Sequence, residues 1–486
     1  MDGEHVETRG GGAGPDEQPT VIVLFGATGD LAARMVLPAV HAMVTQGLLP
    51  RRWALIGNGR GDLSHDEFRE HVRESLTAAD VVTEDDAWTG FGERLFFAGR
   101  GFTEDDPGRM MDVLDQVAAA IDVEDRTTIR FLHYLALPAT TFAAITSALA
   151  AHDLIDGASV VFEKPYGTSS ASFRELDDAV REVLDESQIY RIDHFLGKEA
   201  AQALHVLRFG NGLFSSIWNR DHVRAVQIDI PEELDVSDRA EFYDQTGALR
   251  DMIVTHLFQL AAEVAMEPPV SMAPESLREA REAVIAAFRP LDPDETVLGQ
   301  FDGYLDVEGV ADGSTTDTYA ATRLWVDTDR WRDVPFLLRT GKQLAASAQQ
   351  VSLVMRTPQP RLLGDVDGDN VLTFTLSGTG SVELRVAAKR PGPGLEMTTS
   401  TVALVLADVP GAAPLPPYAR LLDDVLRGDR SLFTRPDGLA AAFAAIQPIL
   451  DSGSSPEPYD RGTWGPRAAQ ALAEPDGWLA GDASIT

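Results

Sequence analysis

The chain has 486 residues, 44% hydrophobic and 24% charged, which is enough for two or three globular domains around a large core. Its formal net charge of -35 argues against nucleic acid or an anionic membrane as a partner, because either needs a basic face. With no cysteine present, disulfides, thiol catalysis and cysteine-ligated metals are excluded, and no metal site is expected.

Residues 1–19 are acidic and glycine-rich and read as a disordered tail without a signal peptide. No apolar run approaches the ~18 residues that span a bilayer, so the expected location is cytoplasmic. At Thr20 the character changes. Val21-Ile22-Val23-Leu24-Phe25 is a continuous apolar run, as in a strand buried on both faces. Gly26-Ala27-Thr28-Gly29-Asp30-Leu31 follows, then a helical pattern to about Gln46, with Gly47 as its stop. Strand, glycine turn and helix make the first unit of a dinucleotide-binding fold, with Gly26 and Gly29 letting the backbone approach a pyrophosphate. If these are the second and third glycines of the usual fingerprint, Leu24 replaces the first. The same spacing also suits a plain strand-to-helix turn.

A second strand, Trp53-Ala54-Leu55-Ile56-Gly57, runs into Asn58-Gly59-Arg60. An acid near this point holds the ribose hydroxyl of NAD; here Arg60 stands instead, and a guanidinium suits the 2′-phosphate of NADP. Further strands are expected at Thr128–Ala136 and Ser159–Phe162, with helices near 65–78, 105–120 and 140–152. That alternation predicts a parallel, doubly wound sheet. Glu163-Lys164-Pro165-Tyr166-Gly167 closes the last of these strands, and ligands of such sheets bind beyond the strands' carboxyl ends.

A helix at 168–186 leads to Arg191-Ile192-Asp193-His194-Phe195-Leu196-Gly197-Lys198-Glu199, with helix resuming at Lys198 and running to about Phe209. Val226, Ile228 and Ile230 then alternate with Gln227 and Asp229, and Pro231-Glu232-Glu233 follows. A helix over about 246–266 carries Arg250, Asp251 and His256. Five positions apart, Asp251 and His256 do not stack on one α-helical face. From about 297 to 405 strands follow one another without helices, which implies an antiparallel sheet. Helical segments near 415–428 and 435–450 close this second domain. The expected division is residues 20–190 as a Rossmann domain and 191–486 as an α+β domain with a large, mainly antiparallel sheet. The chain holds four lysines, Lys164, Lys198, Lys342 and Lys389. Lys164, Lys198 and Lys342 fall in short stretches with other signs of chemistry, where a compact ammonium serves as a guanidinium does not; an arginine-biased composition is the alternative.

Taken together, these stretches resemble the glucose-6-phosphate dehydrogenase family from about Thr20 to about Leu472. Six motifs carry the resemblance: Gly26 to Leu31, Glu163 to Gly167, Arg191 to Glu199, Arg250-Asp251-Met252 followed by His256, Val334 to Lys342, and Arg461 to Pro466. The resemblance implies NADP-linked oxidation of glucose 6-phosphate at C1 to 6-phosphogluconolactone, the first step of the oxidative pentose phosphate pathway. It assigns His256 as the base and Asp193 as the acid that orients it. His194 and Lys198 match phosphate contacts; Glu232, Asp251 and Lys342 match sugar contacts. Lys164 matches a residue that serves both substrate and cofactor. Gly26, Thr28, Gly29, Asp30, Leu31 and Arg60 match the cofactor side. A homodimer or homotetramer built on the large sheet is also implied.

Four departures fall on the substrate side. The family usually has tyrosine at Phe195, a basic residue at Ser347 and glutamine near Ser377, and its glycine-rich run is changed to Asp238-Arg239-Ala240-Glu241-Phe242-Tyr243-Asp244. Arg208 and Arg339 are candidates to compensate. Two alternatives stay open: a paralogue acting on another sugar or sugar phosphate, and a catalytically silent regulatory relative.

Overall fold

The apolar runs of the first 190 residues form one parallel sheet. In this computed structural model, residues 18–81, 85–364 and 368–481 are described; the tail expected over 1–19 lies almost wholly outside them. The strands are β1 (Thr20–Phe25), β2 (Trp53–Asn58), β3 (Leu95–Ala98), β4 (Arg130–Leu135), β5 (Ser159–Phe162) and β6 (Ile189–Arg191). Their order is β3-β2-β1-β4-β5-β6, and every pair is parallel. All residues of β1 and β2 are buried, which is why neither reads as an alternating pattern. The helix expected over 65–78 is His65–Ala78, closed at its start by a capping box between Ser64 and Glu67. Short β3, not among the strands expected from the sequence, is followed by the turn Gly99-Arg100-Gly101.

The chain divides into two units whose boundaries interleave. The first comprises residues up to Tyr166, Glu175–Ile192 and Tyr418–Arg430; the second comprises Gly167–Arg174, Asp193–Pro417 and the chain from Ser431 onward. The helix Pro417–Arg427 had been expected to help close the second domain. Its segment instead groups with the first unit, where Arg430 donates to the Ile189 carbonyl at 3.1 Å and Arg130 to the Val425 carbonyl at 3.1 Å. Such long-range bonds leave no local sequence signal. At the end of β6, buried Arg191 is gripped by Asp177 at 2.5 Å and Glu186 at 2.8 Å.

The second unit is built on a nine-stranded sheet. Its strands are β7 (Val223–Pro231), β8 (Thr296–Phe301), β9 (Tyr319–Leu324), β10 (Phe336–Gly341), β11 (Gln350–Met355), β12 (Val371–Thr375), β13 (Ser381–Lys389), β14 (Met397–Val405) and β15 (Glu457–Tyr459). The order is β14-β13-β12-β11-β7-β10-β9-β8-β15. The pairs β7–β10 and β8–β15 are parallel and the others antiparallel. Gln227 and Asp229, the polar members of the alternation in β7, are each only 2% exposed. The C-terminal segment covers them. Gln227 exchanges bonds with the Gly477 carbonyl and the Leu479 N–H, both at 2.9 Å. Asp229 takes a two-pronged bond from Arg339, whose guanidinium also stacks on Trp464 and Trp478.

A buried ionic network ties the helices of this unit. Glu263 pairs with His205 and, at 2.9 Å, with Arg281, which also donates to the Ser431 and Phe433 carbonyls at 2.8 and 3.1 Å. Burial alone would raise the Glu263 carboxyl; His205 and Arg281 outweigh it and bring the pKa down to about 2. A folded-state value below the unfolded one means stability that is present above about pH 4.5 and lost as pH falls towards 2. Glu263→Gln should therefore cost about 3–5 kcal/mol at pH 7. Measured by denaturant midpoints, the gap to wild type should close as pH falls through that window; a gap independent of pH would contradict the assignment.

Candidate active site

The turn Gly26 to Leu31 is shaped by backbone packing. Gly26 has φ +78, and a Cβ there would meet the Ala136 carbonyl. The Gly26 and Ala27 N–H groups both donate to the Asn58 carbonyl, at 3.0 and 3.1 Å, and Gly29 N–H to the Gly26 carbonyl at 2.9 Å. Helix starts at Asp30, so the N–H groups of its first turn have no acceptor within the helix and make an anion-binding end. Thr28, Asp30 and Arg60 are exposed beside it. The Asn58 side chain bonds the Ala98 and Gly101 carbonyls at 2.8 and 3.2 Å, which fixes the end of β2 from which Arg60 emerges.

Lys164 lies beyond the carboxyl end of β5. Its neighbour Glu163 is buried and accepts from the Tyr134 hydroxyl at 2.5 Å. Burial pushes the Glu163 carboxyl up against the opposing pull of Tyr134 and Lys164. Tyr134 is the penultimate residue of the neighbouring strand β4, so the two strand ends are locked together. Sequence reasoning gave Tyr134 no role.

In the second unit the Arg191–Glu199 stretch continues as a turn rather than a helix; Lys198, in extended backbone, opens the helix Glu199–Gly210. Asp193 Oδ1 accepts the Phe195 N–H at 2.9 Å and meets His256 Nδ1 at 2.6 Å. His256 is fully buried and Asp193 nearly so. A carboxylate oxygen of Asp193 and ring nitrogens of His194 and His256 all lie within 4.8 Å of one another. The Phe195 ring sits among them, 4.5 Å from the His256 ring, 4.8 Å from that of His194 and 5.0 Å from Lys198 Nζ. Lys198 donates to Gln349 Oε1 at 2.8 Å and to the Leu376 carbonyl at 3.3 Å, and burial lowers its pKa.

His256 stands on a π-helical stretch, Leu249–Leu257. Hydrogen bonds of the i→i+5 type bring residues five apart onto one face. This corrects the α-helical expectation for Asp251 and His256, because no local pattern distinguishes a π turn. Glu232 and Lys342 follow the parallel neighbours β7 and β10, whose ends are in register at Pro231 and Gly341, and the two side chains form an ion pair. Tyr243 joins the groups. Its ring lies 5.7 Å from Lys342 Nζ. Burial pushes its hydroxyl well up, and the charges of Asp251 and Glu232 add to that.

Family comparison decides what this arrangement is. Residues 23–203 match the model for the glucose-6-phosphate dehydrogenase NAD binding domain, and 205–479 match that for the C-terminal domain of the same enzyme. The chain belongs to the glucose-6-phosphate dehydrogenase family. It is 34% identical to glucose-6-phosphate 1-dehydrogenase of Aggregatibacter actinomycetemcomitans, over 94% of this chain and 96% of that one. It is 36% identical to glucose-6-phosphate 1-dehydrogenase 2 of Mycobacterium bovis, over 93% and 92%. The glucose-6-phosphate 1-dehydrogenase structure from Mycobacterium avium superposes with a TM-score of 0.83, at 34% identity over 95% of this chain and 98% of that one. A glucose-6-phosphate dehydrogenase in complex with its substrate, glucose-6-phosphate, gives 0.86 at 29% identity over the same shares.

Two of the four departures from the family pattern, Phe195 and Ser347, have clear places in the structure. Phe195 is buried. Ser347 accepts the Glu233 N–H at 2.9 Å, and Glu233 accepts its N–H in return at 3.2 Å. Neither Arg208 nor Arg339 compensates. Arg208 is buried on Trp218 with a bond to the Val264 carbonyl, and Arg339 is committed to Asp229. Gln349, which the motifs did not mark, instead meets Lys198. Gly26→Ala should cost about 1–2 kcal/mol for its backbone conformation alone. With the clash added, it should lower the melting temperature and abolish dinucleotide binding in a calorimetric titration; unchanged binding would show that the turn is not the cradle.

Proposed function

We propose that this chain oxidises D-glucose 6-phosphate at C1 to 6-phospho-D-glucono-1,5-lactone, with NADP as the hydride acceptor. The observation that carries this is the buried Asp193–His256 bond with His194 and Lys198 beside it. With Nδ1 held by Asp193, Nε2 of His256 is the nitrogen that takes the C1 hydroxyl proton, and the Asp193 carboxylate stabilises the imidazolium formed. When bound, NADP supplies C4 of its nicotinamide as the hydride acceptor. The turn around Gly26, Thr28 and Gly29, the helix start at Asp30 and Leu31, and Arg60 suit its pyrophosphate and 2′-phosphate.

His194 and Lys198 hold the 6-phosphate; Glu232, Asp251 and Lys342 hold the sugar hydroxyls; Lys164 serves cofactor and sugar. A buried acceptor left unpaired by the wrong sugar is costly, so these carboxylates discriminate. The chain acts in the cytoplasm as a homodimer or homotetramer. Exposed Val402, Leu404 and Val405 on edge strand β14 favour association through the large sheet. The second reading is a different sugar phosphate. It is favoured by the apolar Phe195 ring and by Ser347, which bonds Glu233 where the family usually has a cation.

The deciding experiment is the initial rate of NADPH formation from glucose 6-phosphate, glucose, galactose 6-phosphate and glucosamine 6-phosphate. Glucose 6-phosphate should be preferred, and His256→Asn should lower kcat by about 10²- to 10⁴-fold. Preference for another sugar would establish the second reading; NADP binding without any turnover would indicate a silent relative. Arg60→Ala should raise the KM for NADP about 10- to 100-fold and leave that for NAD little changed. Equal effects on both would rule out Arg60 as the 2′-phosphate contact.

A further inference from the structure

A π-helix is a rare conformation that persists only where its surroundings hold it, and the stretch Leu249–Leu257 carries both Asp251 and His256. It starts abruptly. The preceding helix breaks at Gly247, whose backbone has φ +67 and ψ 171. The next two N–H groups go to one residue: Ala248 donates to the Asp317 carbonyl at 2.8 Å and Leu249 to Asp317 Oδ2 at 2.7 Å. Asp317 is buried, and Gly247 is packed so closely that a Cβ there would meet the Asp317 carboxylate. Buried N–H groups at a helix start need such acceptors. With no room for adjustment, their position also sets the register of the turn.

The next residue anchors another part of the site. The Lys342 N–H donates to the Thr318 carbonyl at 2.9 Å, and the Lys342 carbonyl accepts the Tyr459 hydroxyl at 2.6 Å. That hydroxyl lies 3.0 Å from Thr318 Oγ1. Two consecutive residues at the entrance to β9 thus hold the helix bearing His256 and the turn bearing Lys342.

We propose that Asp317 is a positioning residue: its carboxylate fixes the first turn of the Leu249–Leu257 helix and so sets where the His256 imidazole stands. The inference rests on the reading of His256 as the base. It requires a hydrogen-bond acceptor at one place, not a negative charge. Asparagine keeps that acceptor in the same volume; glutamate keeps the charge and moves the acceptor by a methylene.

The test compares wild type, Asp317→Asn, Asp317→Glu and His256→Asn, with glucose 6-phosphate and with its C1-deuterated form. Rates are taken per folded site, counted by NADP binding. Asp317→Asn should keep kcat within about 3-fold of wild type, with an unchanged isotope effect. Asp317→Glu should lower kcat by about 10- to 100-fold at a nearly constant KM for the sugar, and should raise the isotope effect, because a displaced base slows the proton and hydride step. If Asp317→Glu loses only thermal stability, with wild-type kcat and isotope effect, the residue is merely structural and the inference falls. It also falls if Asp317→Asn is as impaired as Asp317→Glu, since charge would then be the feature used. Full activity in His256→Asn would remove the reading of His256 itself, independently of the order of the Asp317 variants.

Discussion

The hydrogen bond between Asp193 and His256 is the constraint that organises the second unit. Its 2.6 Å length and near-complete burial demand that two segments far apart in sequence meet to within a few tenths of an ångström. One is a turn whose own backbone amide, that of Phe195, reaches back to the same carboxylate oxygen. The other is a π-helical stretch fastened at its first turn. An ionised carboxylate in such a place is expensive unless its bonds are satisfied. The site is therefore stable only when the turn and the helix are both correctly formed, which couples folding of this region to its chemistry.

The positive charges of this acidic chain are divided by task. Arginines are spent on architecture: Arg191 on Asp177 and Glu186, Arg281 on Glu263 and two carbonyls, Arg339 on Asp229 and two indole rings. Each uses the planar fork to satisfy several groups at once in a buried place. Lys164, Lys198 and Lys342 lie within site motifs, where a point charge on a flexible stem can follow a ligand. Lys389 instead binds the Arg390 and Gly392 carbonyls at the end of β13. Removing Arg191, Arg281 or Arg339 would thus disturb the fold, whereas under the proposed function Lys164, Lys198 and Lys342, like Arg60, act in binding.

The parts of the fold legible in the sequence were those governed by local pattern. The apolar runs of β1 and β2, the glycine turn, the capped helix His65–Ala78 and the succession of strands from about 297 onward all follow from periodicity and turn chemistry. What was hidden depends on distant partners. The burial of Gln227 and Asp229 needs the C-terminal segment; the grouping of Tyr418–Arg430 with the first unit needs Arg130 and Arg430; three-residue β15 exists because β8 offers it an edge. At the site, motifs pointed to Asp193, His194 and His256, which the structure brings together. They did not point to Gln349, Tyr243, Tyr134 or Asp317. These are common residue types whose importance comes from position alone.

The substrate-side departures acquire a physical meaning from Lys198. A tyrosine at Phe195 would add a donor to an anion site; the phenyl ring instead makes the surroundings of His194 and Lys198 less polar. Burial lowers the Lys198 pKa against the opposing pull of Asp193, and its ammonium is held by Gln349 and the Leu376 carbonyl. In a low-dielectric setting each remaining charge acts more strongly on a phosphate than it would in water. Ser347 is bound to Glu233 rather than presenting a cation, so under the proposed function phosphate recognition rests on the turn that also orients the base.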